Sequence, residues 1–368
     1  MKYVPVETMQ KFMKDVFVRM NVPERDAETC SEVLISSDLR GIESHGVGRL
    51  KMYYDRIKAG IQYPQTTIEV IQDNNAVAVW DGKHGMGHVI GVKAMQAAID
   101  KAKKYGMGSV AVRNSTHYGI AGYYALMAVQ QDMIGLTFTN ARPSCPPLNG
   151  FTPLLGTNPI CFGAPSDESY PFLYDAATSI SQRGKIEQLE REEKDTPPSW
   201  AINRKGESVT DSHKLLEDLV NQDASMVLLG GIEEETGGHK GYGLSAMVEI
   251  LCASLQDGSY LHQLKGEEKG KQGPYKLGHF FLALDIASFI PVEKCKKITG
   301  SIMRTLKGAE KLPGRDKIFI AGEKEYINEQ RVRSQGVPVN EKLEKNILTM
   351  CRDLKISPDF LQIPDNNE

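Results

Sequence analysis

Gly106-Met107-Gly108-Ser109-Val110-Ala111-Val112-Arg113-Asn114-Ser115-Thr116-His117-Tyr118-Gly119 is the stretch that decides the fold. Ser109–Arg113 reads as a short strand. Before it, Gly91–Tyr105 has apolar residues at 92, 95, 98, 99 and 102, the spacing of one helix face. After it, Ile120–Gln131 reads as a helix and Met133–Thr139 as a strand. Upstream, the apolar run Ala76–Trp80 ends at Asp81-Gly82, a strand and its turn. Downstream, Ile160–Ala164, Phe172–Asp175, Val227–Leu229 and His279–Leu284 are predicted strands and Gly241–Leu255 a helix. This alternation predicts an α/β or mixed α+β core. The Gly106–Ala111 segment imitates the GxGxxG dinucleotide fingerprint but follows a helix and precedes a strand, the reverse of the required order. Any dinucleotide therefore sits on something other than a standard Rossmann unit.

Both ends read differently. Residues 1–70 are predicted helical, with one helix starting at Asn21-Val22-Pro23-Glu24 and closing at Gly41, and another from Arg49 to Lys58. Toward the C-terminus, a helix over Val292–Lys307 precedes a short strand at Ile318–Ile320. A last helix starts near Asn340, with Leu343, Ile347, Cys351 and Leu354 on one face. Arg183–Pro198 is charged and Leu264–Lys276 rich in Gly, Lys and Glu, so both read as solvated connections.

With 368 residues, 40% hydrophobic and 25% charged, the chain has the balance of a soluble globular protein of two or three domains. A net charge of −3 gives no argument for nucleic acid or an acidic membrane. The N-terminus lacks an apolar signal region and no stretch is long enough to span a membrane, so a cytoplasmic location is expected. The six cysteines are scattered without CxxC spacing, and the eight histidines show no HExxH pattern, so no metal is expected.

Glu43-Ser44-His45-Gly46-Val47-Gly48-Arg49 brings a hydroxyl, an imidazole and a guanidinium close together between glycines. A ketone–alcohol interconversion needs a proton donor that titrates near neutrality, and a planar anchor for a carboxylate. The alternative is a structural salt bridge at Arg49 and a helix-end cap at His45. His117 follows a strand at the position where α/β sheets meet ligands, and is a second acid/base candidate; an N-capping Asn-Ser-Thr cluster is the alternative. Gly156-Thr157-Asn158-Pro159 is a polar turn. Asp175-Ala176-Ala177-Thr178-Ser179 ends a strand in small and polar residues suited to a ribose or nicotinamide. Gly237-Gly238-His239-Lys240-Gly241 precedes a helix, so its amides and Lys240 suit an anion such as a pyrophosphate.

In order, these segments resemble the malate/L-lactate dehydrogenase family of the non-Rossmann type, which includes L-sulfolactate, ureidoglycolate and diketogulonate-reducing enzymes. The resemblance covers nearly the whole chain. It implies a large mixed sheet forming a non-Rossmann dinucleotide-binding core (74–290), with helical segments 1–73 and 291–368 packed together. It also implies a homodimeric NAD-dependent oxidoreductase, NADP being the alternative, that acts on a small 2-hydroxy acid, malate/oxaloacetate first. Lactate, sulfolactate, ureidoglycolate or a cyclic imino acid are the other substrates, and a catalytically silent binding protein is the reading from a different class. Ser44, His45 and His117 match catalytic positions; Arg49, with Thr157 and Asn158, matches substrate binding. Asp175, Ala176, Ala177, Thr178, His239, Lys240, Ala321, Gly322 and Glu323 match cofactor binding. Two departures stand out: Ala321 replaces the family's usual Pro, and the relay acid that some members carry shortly after Asp175 has no counterpart in Arg183-Gly184-Lys185-Ile186-Glu187. The acidic run Glu233-Glu234-Glu235 has no account.

Overall fold

The computed structural model describes residues 2–268 and 270–362. The chain begins β1 (Lys2–Val4), α1 (Val6–Arg19), α2 (Glu24–Leu39), α3 (Leu50–Lys58), β2 (Glu69–Asn74), β3 (Val77–Asp81) and α4 (Gly87–Tyr105). It continues β4 (Met107–Ser115), α5 (Ala121–Val129), β5 (Met133–Thr139), β6 (Ile160–Ala164), β7 (Phe172–Ala176) and α6 (Arg183–Arg191). Then come β8 (Ala201–Asn203), α7 (Ser212–Asn221), β9 (Ala224–Met226), α8 (Gly238–Ala253), β10 (Glu267–Glu268), β11 (Lys271–Gln272) and β12 (Leu277–Asp285). It closes with α9 (Val292–Lys307), α10 (Glu323–Gln335), β13 (Val337–Val339) and α11 (Glu341–Leu354).

Seven strands form one sheet in the order β2-β3-β4-β12-β5-β6-β7. β3 and β4 are parallel and joined by the crossover helix α4, while the other neighbours are antiparallel. The sheet is the mixed one expected. Alternation along β12 sends Phe281 and Ala283 into a cluster with α4 and α5. Phe280 faces the other side, beside Phe138 of β5 and Val248 and Cys252 of α8. The two ends of the chain share another core: Val4, Met9, Phe12 and Leu34 pack with Val332, Val337 and Ile347, and β1 pairs antiparallel with β13. Among the described residues, no helix is long and apolar enough to cross a membrane.

Several expectations need correction. Ile318–Ile320 is not a strand; Ile320 is buried against Tyr170 and Met303 without pairing. The strand expected at Val227–Leu229 lies at Ala224–Met226, paired with β8, and Leu228 makes only an isolated bridge to Ser179. Residues 1–70 are not all helical, since β1 opens the chain and β2 starts at Glu69; β2 is exposed throughout, so no alternation announces it. Arg183–Pro198 is not a plain connection, because it begins with α6, whose Ile186 is wholly buried. Within Leu264–Lys276, Leu264 and Tyr275 are buried with Ile61 and Leu277.

Candidate active site

The loop after α2 is held from beneath. Burial pushes the Asp38 carboxyl well above its ordinary range, and it accepts the Val47 N–H at 2.8 Å. A Cβ on Gly46 would lie 1.9 Å from Asp38 Oδ1, so this position takes only glycine. Ser44 Oγ meets His45 Nδ1 at 2.9 Å, and Gln182 Nε2 donates to Ser44 Oγ at 3.3 Å. Arg49 Nε donates to the Ser44 carbonyl at 2.8 Å. Gly184, in the first turn of α6, comes so close that a Cβ there would meet Arg49 Nη2 at 2.8 Å and Ser44 Cβ at 3.1 Å.

The loop after β4 is pinned as firmly. Thr116 Oγ1 accepts Gly87 N–H at 2.9 Å and donates to the Gly85 carbonyl at 2.8 Å, tying the loop to the start of α4. Ser115 Oγ bonds His279 Nε2 at 2.8 Å, and Tyr118 stacks on His279 with ring centroids 4.4 Å apart. His117 is thereby presented at a fixed angle. Its Nδ1 receives Gly119 N–H at 3.3 Å and lies 2.5 Å from Tyr53 Oη. A backbone N–H aimed at Nδ1 requires a lone pair there; the hydrogen-bond network therefore assigns the neutral ring its proton on Nε2, with Tyr53 as donor.

His45 and His117 stack with centroids 5.5 Å apart and planes at 26°. Desolvation, with Arg49 adding to it, lowers His45 to about 3. Desolvation first, then His45, Arg56 and Arg49, holds His117 well below its ordinary value. Each Nδ1 is engaged, which leaves Nε2 as the nitrogen for the cleft that both rings line. That cleft, of about 360 Å³, is also lined by Thr157, Asp175, Ala176, Ala177 and Gln182. Burial raises the Asp175 carboxyl to about 6 although it accepts Gly122 N–H at 2.6 Å.

Two further clefts continue the first through shared residues. One, of about 280 Å³, shares Asp175 and Ala176 and reaches Ala321 and Gly322 at the start of α10. The other, of about 290 Å³, shares Leu229 and reaches Gly237 and Lys240 at the start of α8. The remaining candidates stand otherwise. Asn158 is wholly buried and donates to the Ser245 carbonyl and Glu249 Oε2, bracing the turn. Thr178 Oγ1 donates to the Thr157 carbonyl at 3.1 Å. His239 is exposed in the first turn of α8. Glu323 is buried; burial would raise its carboxyl, but hydrogen bonds from Lys317, Lys307 and Ile320 N–H override this and hold it down to about 2. Tyr53, Gln182 and Gly184 were not singled out in the sequence. Tyr53 was within reach, being four residues after Arg49 on one helical face; Gln182 borders, and Gly184 lies within, the Arg183–Pro198 stretch that reads as a solvated connection.

A family model described as malate/L-lactate dehydrogenase matches residues 4–348. The chain belongs to the malate/L-lactate dehydrogenase family. It is therefore a 2-hydroxyacid dehydrogenase. Malate dehydrogenase of Pyrococcus horikoshii is 42% identical over 341 residues, covering 92% of each chain. L-sulfolactate dehydrogenase of Methanocaldococcus jannaschii is 35% identical over 97% of this chain and 98% of that one. The crystal structure of malate dehydrogenase from Entamoeba histolytica superimposes with a TM-score of 0.94 at 42% identity, covering 97% of this chain and 99% of that one.

Proposed function

We propose that this dehydrogenase interconverts malate and oxaloacetate with a nicotinamide dinucleotide, NAD first and NADP as the alternative. The observation that carries the reading is the pair of stacked, neutral imidazoles over one cleft, each with Nδ1 tied and Nε2 left for a substrate oxygen.

The residues fit a dinucleotide. First turns of two helices, α8 with Lys240 and α10 with Gly322, line the outer clefts, where amides and a cation suit a pyrophosphate. The small Ala176 and Ala177 line the cleft between them. The cofactor, when bound, supplies or receives hydride at C2 of the substrate. Arg49 holds the substrate carboxylate through the guanidinium nitrogens it does not use on Ser44. Reduction requires His117 as the imidazolium, with a second proton taken up from solvent: its Nε2 gives one proton to the oxygen at C2, and the neutral ring takes it back in oxidation. His45, kept in one tautomer by Ser44 and Gln182, donates a hydrogen bond to the same oxygen. Asn158 and Thr178 act from behind the wall by fixing Thr157.

Association as a homodimer is supported by α8, whose inner face packs on the sheet while Leu244, Met247 and Ile250 remain exposed. Six free cysteines fit a reducing compartment such as the cytoplasm. The three-part division at 73/74 and 290/291 is supported by the core shared between the two chain ends.

The test is nicotinamide absorbance with oxaloacetate and other 2-keto acids, using both cofactors, for the wild type, His117→Ala and His45→Ala. His117→Ala should lower kcat by about 10²- to 10⁴-fold and His45→Ala by less. The opposite ranking would exchange their roles, and no turnover of any 2-keto acid would remove the reading.

A further inference from the structure

Arg49, Tyr53 and Arg56 stand at i, i+4 and i+7 along the start and body of α3, one stripe of the helix. Tyr53, between the two arginines on this stripe, is hydrogen-bonded to His117. Both charges act on His117, that of Arg56 more strongly than that of Arg49. Arg56 also lies over the ring of Tyr275, 4.5 Å from its centroid, and Arg142 lies 5.2 Å from the same centroid. Tyr275 is buried beside Leu277, which lines the main cleft, and Arg142 directly follows Asn140 and Ala141, which line it too.

None of these arginines has a counter-ion among the described residues. Among the described residues, Arg40, Arg113, Arg183, Arg204, Arg304, Arg333 and Arg352 each reach a carboxylate within 4.0 Å, but Arg49, Arg56 and Arg142 do not. Arg142 and the other unpaired arginines (19, 25, 191, 315 and 331) are solvent-exposed, so Arg49 and Arg56 are the only ones withdrawn from water without a carboxylate partner among the described residues. A guanidinium stays charged in proteins, and leaving its charge desolvated and unpaired is unfavourable. Burial, with Arg142 and Arg49 beside it, already weakens the hold of Arg56 on its proton. Two such cations beside one imidazole call for two negative charges from outside the chain.

We propose that Arg56, seated on Tyr275 and seconded by Arg142, is the subsite for a second acidic group of the substrate. Resting on the dehydrogenase reading above, this gives the two ends of a dianionic 2-hydroxy or 2-keto acid separate anchors: Arg49 holds the carboxylate next to the reacting carbon and Arg56 the acidic group at the far end. Carboxylate and sulfonate share the chemistry that a guanidinium reads, and the experiment separates them.

Wild type, Arg56→Gln and Arg142→Gln are assayed for reduction of oxaloacetate, its sulfonate counterpart sulfopyruvate, and pyruvate, which lacks the far group. Arg56→Gln should raise KM for the dianion the enzyme prefers by roughly 10- to 100-fold, the worth of a charge-assisted hydrogen bond, while kcat moves little. kcat/KM for pyruvate should fall far less, so the preference for the dianion collapses. Arg142→Gln, on the exposed side, should shift the preference the same way by roughly 2- to 10-fold and keeps the test open if Arg56→Gln does not fold. Equal losses on pyruvate and the dianions, or no loss on either dianion, overturn the subsite. A second arm needs no turnover: malate or sulfolactate should raise the wild-type Tm more than lactate at equal concentration. Equal shifts overturn the subsite even if the enzyme is active, whereas a larger dianion shift without any turnover keeps the subsite and removes the proposed reaction.

Discussion

Replacing Tyr53 by Phe removes one oxygen from a wholly buried ring and leaves its packing on His88, at a centroid distance of 4.6 Å, and Phe17, at 6.1 Å. The lost contact is the 2.5 Å bond to His117 Nδ1, and the remaining partner there is Gly119 N–H at 3.3 Å. A buried hydrogen bond whose acceptor keeps only a longer partner is worth about 1–3 kcal/mol. If the bond serves to hold the orientation and tautomer of His117, that energy is lost in the transition state, and kcat should fall by about 5- to 150-fold. KM should stay within about threefold, because Tyr53 holds the imidazole and not the substrate. The assay is steady-state reduction of oxaloacetate by Tyr53→Phe, His117→Ala and the double variant. Residues acting through one another do not add, so the Tyr53→Phe penalty should vanish in the His117→Ala background. A penalty of full size in that background, or an unchanged kcat in the single variant, would refute the reasoning.

Other outcomes follow from the same geometry. Gly184→Ala favours an isolated helix by about 1 kcal/mol, yet its methyl would meet Arg49 Nη2 at 2.8 Å; KM for the keto acid should rise while stability, measured by urea unfolding, stays level or increases. An equal loss of stability and activity would contradict this. The Asp175 carboxyl, raised to about 6, binds its proton more tightly folded than unfolded. Its contribution to stability is therefore complete below about pH 4 and lost as the pH rises toward 6, a term of up to about 3 kcal/mol. Asp175→Asn should thus gain on the wild type between pH 4 and pH 7 in urea unfolding, and a constant difference would show that the carboxyl is not raised. Reduction should decline as pH rises through the pKa of the proton donor, with the limb in kcat at higher pH than the limb in kcat/KM, which reports the free enzyme. Coincident limbs would mean that substrate does not change the acidity of His117.

How much was legible depended on what sets each feature. The strands β5 and β6 lie where they were expected, because sheet burial writes itself into apolar runs bounded by turn residues. β2 carried no such signal, being exposed on all six residues at the sheet edge. The first helix of the charged stretch was missed because only Gly184 and Ile186 of its nine residues are buried; the rest is solvated surface that composition reads correctly. Ser44, His45 and Arg49 were legible together since one short loop carries them. Tyr53 and Arg56 were not, because their meaning comes from His117 and Tyr275, which lie 64 and 219 positions farther along the chain. Chemistry within a loop can be read from the chain, while pairing across a sheet must be seen.

The cations and the imidazole form one device. Without substrate, desolvation first, then His45, Arg56 and Arg49, oppose a second proton on His117, so the ring rests neutral. An acid with a negative charge at each end places those charges on the two guanidinium groups and cancels the electrostatic part of the opposition. His117 then regains part of its basicity when a dianion is seated, and the proton for the substrate oxygen is at hand in the complex that can use it. A monoanion would satisfy Arg49 alone and leave Arg56, the stronger of the two influences on His117, still opposing. Selectivity for the second acidic group would in this way appear in proton transfer as well as in binding, because the charge that anchors the far end of the substrate is the charge that suppresses the acid.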